Sequence, residues 1–210
     1  ASCARGVIGV APGWPAHSCS GSWPGCSRRW RAEPGMAIAL RVAGLEDAAE
    51  IAGLVNRAYR PGAGLRGWTH EAALVDGPRA SEEMVRALFR PGSTVLVLAE
   101  GPAILACAHV EAKLAEQGVE AYIGMLAAEP SRQGAGLGKR MLAAAEEHAV
   151  AGFGARAFRM SVLVARSELI AFYLRRGYVR SGALEGFPEL AGAGSPRVAG
   201  LQLETLVKQA

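Results

Sequence analysis

Tyr122-Ile-Gly-Met-Leu-Ala-Ala-Glu-Pro-Ser-Arg-Gln-Gly-Ala-Gly-Leu-Gly-Lys-Arg-Met141 is the stretch on which the reading of this chain turns. Its first third, Tyr122–Ala128, is apolar and reads as a strand, closed by Glu129-Pro130-Ser131. Three alternating glycines follow, Gly134, Gly136 and Gly138, directly ahead of a helix-forming run from Lys139 to Ala149. A strand, a glycine loop and a helix start in that order make an anion cradle. Successive backbone N–H groups and the positive helix end converge, and glycine lets a phosphate approach the main chain. The expected occupant is a phosphorylated ligand.

The glycine spacing narrows the ligand. A dinucleotide fold asks for G-x-G-x-x-G, but Lys139 stands where the third glycine would fall. A P-loop asks for G-x-x-x-x-G-K-[ST], and here position 133 is Gln and position 140 is Arg. The pattern that fits is Gln-x-x-Gly-x-Gly, as Gln133, Gly136 and Gly138. It resembles the acetyl-CoA pyrophosphate loop of the GNAT (acyl-CoA-dependent N-acetyltransferase) superfamily. A second segment, Arg166-Ser-Glu-Leu-Ile-Ala-Phe-Tyr-Leu-Arg-Arg-Gly-Tyr178, is similar to the helix of that superfamily that ends in Ala-x-x-Phe-Tyr before a Gly and an aromatic. Phe172, Tyr173, Gly177 and Tyr178 occupy most of those places. Ala171 adjoins the aromatic pair, and Ser167 stands nearest the usual Asn. The resemblance runs from about Ile38 to Val207.

Outward from these motifs, the chain of 210 residues is 50% apolar, enough for one well-cored domain. No apolar run reaches the ~18 residues of a membrane span, so neither a membrane nor, on charge, a nucleic acid is expected as partner. The formal net charge is +4, but residues 1–35 carry four arginines against the single acid Glu33. Residues 36–210 hold 19 basic and 18 acidic groups and are nearly neutral. The first 35 residues also hold Cys3, Cys19 and Cys26 and three of the four tryptophans, without helical or strand periodicity. They read as a non-domain extension ahead of a domain over 36–210. Two origins stay open: leader sequence before a start at Met36, or an Arg-containing, acid-poor organellar transit peptide. Localisation is accordingly expected to be cytoplasmic, or organellar in the second case. No C-x-x-C spacing or paired histidines occur, so no metal is expected, and Cys107 reads as a reduced core thiol.

Periodicity predicts a strand from Ala37 to Val42, a helix over Leu45–Tyr59 and a loop over Leu65–Ala80. A helix over Glu82–Arg90, capped by Ser81, comes next. Strands follow over Thr94–Glu100, Ile104–Lys113 and Val119–Ala127. Beyond the glycine-loop helix come a strand over Ala155–Val164, the Phe172-Tyr173 helix, a strand from Tyr178 and a last one within Val198–Val207. The count is about seven strands and four helices. That order resembles the GNAT fold, an α/β (α+β) architecture with a mixed, mostly antiparallel central sheet.

Roles follow from the resemblance. It implies that Met125, Leu126 and Ala128 pair their backbone with pantetheine, and that an N–H near Leu126 faces the thioester oxygen, a donor worth about 3 kcal/mol. The phosphates fall to Gln133, Gly134, Ala135, Gly136, Leu137, Gly138 and Lys139, with Ser167 and Tyr173 as further cofactor contacts. Tyr173 is the implied general acid, since a phenol with a reference pKa of ~10 keeps its proton at neutral pH. Strand alternation offers three candidate bases: His109 and Glu111 share one face of their strand, and Glu120 lies on the next. Proton transfer through water stands beside them. Trp68 and Glu71 lie where the superfamily builds its acceptor wall. The implied activity is acetyl transfer from acetyl-CoA to a small-molecule primary amine by direct attack in a ternary complex, by a monomer or homodimer. A protein or peptide acceptor, and a non-catalytic acyl-CoA-binding module, are the alternatives.

Overall fold

Strong amphipathic periodicity sets the first helical layer of the computed structural model, which describes residues 37–60, 71–188 and 194–210. A short strand β1 (Ala39–Val42) and a 3-10 turn (Leu45–Asp47) lead into α1 (Ala48–Tyr59). Ile51, Leu54 and Val55 of α1 are fully buried, each stabilising by roughly 1.5–3 kcal/mol. The chain continues through β2 (Val75–Asp76), α2 (Glu82–Arg86), β3 (Ser93–Glu100), β4 (Ala103–Ala115) and β5 (Gly118–Ala128). After a 3-10 turn (Pro130–Arg132) come α3 (Leu137–Phe153), β6 (Ala157–Leu163), α4 (Ser167–Leu174), β7 (Val179–Gly186), β8 (Ser195–Pro196) and β9 (Gln202–Gln209). The N-terminal extension, its three cysteines and Trp68 lie outside the described residues.

Seven strands form one sheet in the order β1-β3-β4-β5-β6-β9-β7, and only the β5–β6 pair is parallel. With the four α-helices among the described residues, this is the mixed, mostly antiparallel architecture expected. β3 is buried on both faces: Val95 and Val97 pack with α1 and Val85 of α2, while Leu96 and Leu98 pack with α3, β6 and α4. The sheet is thus the middle of three layers. The edge strands β1 and β7 are exposed along their length.

Two local readings change. The helix expected over Glu82–Arg90 ends at Arg86, although Ser81 caps it through a 3.2 Å bond from the Met84 N–H. Leu88 and Phe89 leave helical geometry to pack against the α1 cluster, and the Ser93 hydroxyl takes the Leu88 carbonyl at 2.6 Å. The ribbon of β2 with β8 was not expected, because two-residue strands, one ending in Pro196, carry no alternation to read. Among the described residues no helix is long and apolar enough to cross a membrane.

Candidate active site

The site begins with a fault in the sheet. β5 pairs with β6 at Glu120, Ala121 and Tyr122 and then diverges, so the β6-facing edge of β5 from Ile123 onward has no strand partner. On its other side β5 bulges against β4, the register jumping between Cys107 and His109. Met125 sits in this bulge at φ 50°, a left-handed conformation that side chains other than glycine seldom adopt. The bulge is braced from the α1 side. Tyr59 donates its hydroxyl to the Leu126 carbonyl at 2.7 Å, and the Cys107 thiol donates to the Met125 carbonyl at 3.6 Å. Burial pushes the Cys107 thiol up to about 12, so it remains protonated and serves as packing, not as a nucleophile.

β5 delivers the chain to the glycine loop. Gly134 and Gly136 take φ 91° and 74°, and Gly136 is the N-cap of α3 without any side-chain cap. The first-turn N–H groups of α3 therefore keep their capacity for an anion. A Cβ added at Gly134, Gly136 or Gly138 would meet no atom within 4 Å, so the space over the loop is open to a ligand. These residues fit the phosphate cradle expected of them.

Loop, open strand edge and two helices enclose a cavity of about 250 Å³. It gathers Leu126, Ala128, Gln133, Gly134, Gly136, Leu137, Gly138, Lys139 and Tyr173 from the sequence expectation. Ala135 and Ser167 are exposed beside it, and Met125 packs toward α1 instead of lining it. Tyr173 is held by the motif around it. Gly177, at φ 88°, turns the chain after α4, which returns the buried Tyr178 ring to 5.8 Å from Tyr173. Burial raises the Tyr173 phenol far above its usual value, so it holds its proton throughout the ordinary pH range.

Sequence reasoning did not single out Tyr59 or Leu169, which also line the cavity, together with Arg132, a candidate charge partner of the phosphates, and Arg176, which reads in the sequence as a solvated helix end. Tyr59 had only its place at the end of a periodic helix as signal. Its phenol is pushed up to about 12 by burial.

The three candidate bases are placed elsewhere. His109 is buried with its Nε2 2.8 Å from the Ser93 hydroxyl. That hydroxyl already donates to Leu88, so Nε2 carries the proton, and burial holds the imidazole below its usual pKa. Glu111 is paired with Arg90 at 2.6 Å and Lys113 at 3.1 Å; burial opposes its charge, but these partners keep the carboxyl below its usual value. Glu120 meets Arg159 at 3.1 Å. None of the three lines the cavity. Glu71 is buried, and Arg60, Arg79 and Arg166 surround its carboxylate at 2.5, 3.6 and 3.8 Å. Among the described residues no group of three or more His, Cys, Asp or Glu side chains is arranged to hold a metal.

Comparison with known proteins agrees with this geometry. The family model described as the acetyltransferase (GNAT) family matches residues 62–178. No curated protein matches the chain. Among solved structures, a GNAT-family acetyltransferase from Streptococcus pneumoniae superimposes with a TM-score of 0.59 at 17% identity, covering 83% of this chain and 100% of its own. The ribosomal-protein-S18-alanine N-acetyltransferase of Escherichia coli gives 0.59 at 14% identity, over 82% of this chain and 94% of its own. A Salmonella typhimurium protein solved with its cofactor acetyl-CoA gives 0.59 at 19%, over 82% and 94%. At these identities the structures speak for the fold; the family model, spanning more than half of the chain, speaks for descent. The chain belongs to the GNAT acetyltransferase family.

Proposed function

We propose that the protein is an N-acetyltransferase that moves the acetyl group of acetyl-CoA to a primary amine of a small molecule, by direct attack in a ternary complex. The observation that carries this reading is the meeting, in one cavity, of the uncapped glycine-loop helix, the open edge of β5 and the buried Tyr173. The loop and the first turn of α3 hold the pyrophosphate, with Lys139 at its exposed side. The open β5 edge from Met125 to Ala128 offers backbone groups to pantetheine, and the Leu126 N–H stabilises the negative charge that develops on the thioester oxygen. As the amine nitrogen bonds to the carbonyl carbon, the carbon–sulfur bond breaks. Tyr173 gives its proton to the departing sulfur and recovers one from solvent. The acceptor attacks as the free amine: one proton leaves its ammonium through water before the attack and a second leaves the nitrogen through water after it, because His109, Glu111 and Glu120 are each engaged by another side chain outside the cavity.

The deciding experiment is calorimetric titration of acetyl-CoA into the full chain, with NAD as control, followed by a screen of primary amines for acetyl transfer. Saturable one-site binding and turnover with at least one amine support the proposal. Absence of acetyl-CoA binding by folded protein sinks it. Tight binding without turnover on any amine replaces it with a non-catalytic acyl-CoA-binding module.

A further inference from the structure

One side chain reaches the reaction cavity from the opposite face of the sheet. The cavity is walled by β5, by the glycine loop with the start of α3, and by the α4 segment. Among the described residues that line it, Tyr59 alone comes from α1. Leu126, Leu137, Leu169 and Phe172 belong to the core on the α3 and α4 side, whereas Tyr59 packs against the cluster built on α1. The place where it meets β5 follows from strand alternation. The Glu129 N–H bonds to the Leu105 carbonyl of β4 at 2.8 Å, so Ala127 faces β4 as well. Leu126 and Ala128 therefore turn both their N–H and their C=O toward the open edge. Tyr59 donates its hydroxyl to that Leu126 carbonyl at 2.7 Å, beside the N–H assigned to the thioester oxygen.

The ring is held in this place. The Tyr59 carbonyl accepts the Glu71 N–H at 2.9 Å, and the Arg79 guanidinium stands 5.5 Å from the ring centre. Tyr173 is near enough that a charge on Tyr59 would oppose one on it. β5 lines the cavity only from Leu126 to Ala128, and the glycine loop lies beyond Ala128. A ligand laid from the loop along this edge reaches Tyr59 last. Resting on the acetyltransferase reading, we infer that Tyr59 sets the length of the transferred acyl group: its ring bounds the cavity just past the thioester carbonyl, admitting acetyl and refusing longer acyl chains. An acetyl group carries one methyl beyond the carbonyl. A butyryl group adds two methylenes, which must displace a ring anchored to β5 at its hydroxyl, and overfilling a packed space is unfavourable. Tyr59 is thus a specificity-determining residue that takes no part in proton transfer.

The test is calorimetric titration of CoA, acetyl-CoA and butyryl-CoA into the full chain, with no acceptor present. The wild type is expected to bind acetyl-CoA about tenfold or more tightly than butyryl-CoA. Tyr59→Phe keeps the ring and is expected to keep that ratio. Tyr59→Ala removes the ring and is expected to bring the ratio below about threefold, with the affinity for CoA itself unchanged. Should Tyr59→Ala fail to fold, Tyr59→Leu carries the same comparison with the cavity partly filled. The inference is overturned if the wild type binds butyryl-CoA as tightly as acetyl-CoA. It is equally overturned if the variant without the ring weakens all three ligands alike and preserves the ratio, which would make Tyr59 only a brace for the Met125 bulge. Failure of the wild type to bind CoA would sink the acetyltransferase reading, whereas CoA binding without acyl discrimination would sink the role of Tyr59 alone.

Discussion

The glycine-loop wall of the cavity and the arginine cluster beside it are built in opposite ways. The loop wall is contiguous in the chain, Leu126 through Lys139, and works mainly through main chain: open N–H groups, left-handed glycines and an unpaired strand edge. The cluster draws Arg60, Glu71, Arg79 and Arg166 from four separate places and is built on side-chain ion pairs. On the proposed function, such a backbone site would recognise what every donor of this class has in common, its phosphates and amide chain. Tyr59 and Tyr173 stand between the two.

This contrast can be broken most directly at Tyr173. Tyr173→Phe keeps the backbone wall and removes one proton donor, so kcat is expected to fall by about 10²–10⁴-fold with acetyl-CoA affinity unchanged. Unchanged turnover in steady-state assays would mean that the chemistry needs no acid from this wall. Gly136→Val attacks the backbone side instead. It puts a branched side chain into the space over the loop and forces φ 74° on a residue that resists it. The left-handed conformation alone costs roughly 1–2 kcal/mol, and with lost phosphate contact the acetyl-CoA Kd should rise about tenfold or more. Calorimetry reads this, and an unaltered Kd would show that the loop does not hold the phosphates.

Tyr59→Phe sharpens the comparison at the seam. Loss of the hydroxyl leaves the Leu126 carbonyl without that donor and should reduce stability by about 1 kcal/mol, measured by denaturant unfolding. The smallest effect concerns pH. Tyr59 and Tyr173 do not change charge near neutrality, so the pH response of stability is expected away from the cavity, at His109 and at His148, whose imidazole burial also holds below its usual pKa. Burial depresses the His109 pKa in the folded protein, so below about 6.5 the unfolded chain binds the extra proton first. His109 therefore favours the folded state fully above that pH and loses this contribution as pH falls toward its depressed folded value. Melting curves at pH 7.5 and 5.5 should show a smaller drop for His109→Gln than for the wild type, and equal drops would contradict the assignment.

The same contrast explains what was legible in the sequence. The loop wall could be read because glycine at 134, 136 and 138 and the Phe172-Tyr173…Gly177-Tyr178 run each state a backbone requirement within a few residues. Strands such as β3 and β4 announced themselves by apolar runs, and the seven-stranded sheet followed. The Met125 bulge left no mark, since nothing about a methionine signals φ 50°; only tertiary bracing by Tyr59 and Cys107 selects it. Glu71 was expected at an acceptor wall from its place in the chain, but its arginine neighbours were not foreseen, because ion pairs between residues 11 and 95 positions apart have no spacing to recognise. His109 and Glu111 shared a strand face as alternation requires, yet alternation says nothing about Ser93 or Arg90 waiting on the facing elements.

The divergence of β5 from β6 has a mechanical side. The central sheet is two plates, β1-β3-β4-β5 and β6-β9-β7, hinged to one another at the corner formed by Glu120–Tyr122 and Ala157–Arg159. Force passing from one plate to the other must travel through that corner or through the helices that overlie it. A ligand seated along the open edge supplies the missing rung of the ladder, so its removal should loosen the molecule along one line and leave each plate as stiff as before. Hydrogen exchange would then register the empty wedge as a stripe of fast amides down β5, ending abruptly at Tyr122.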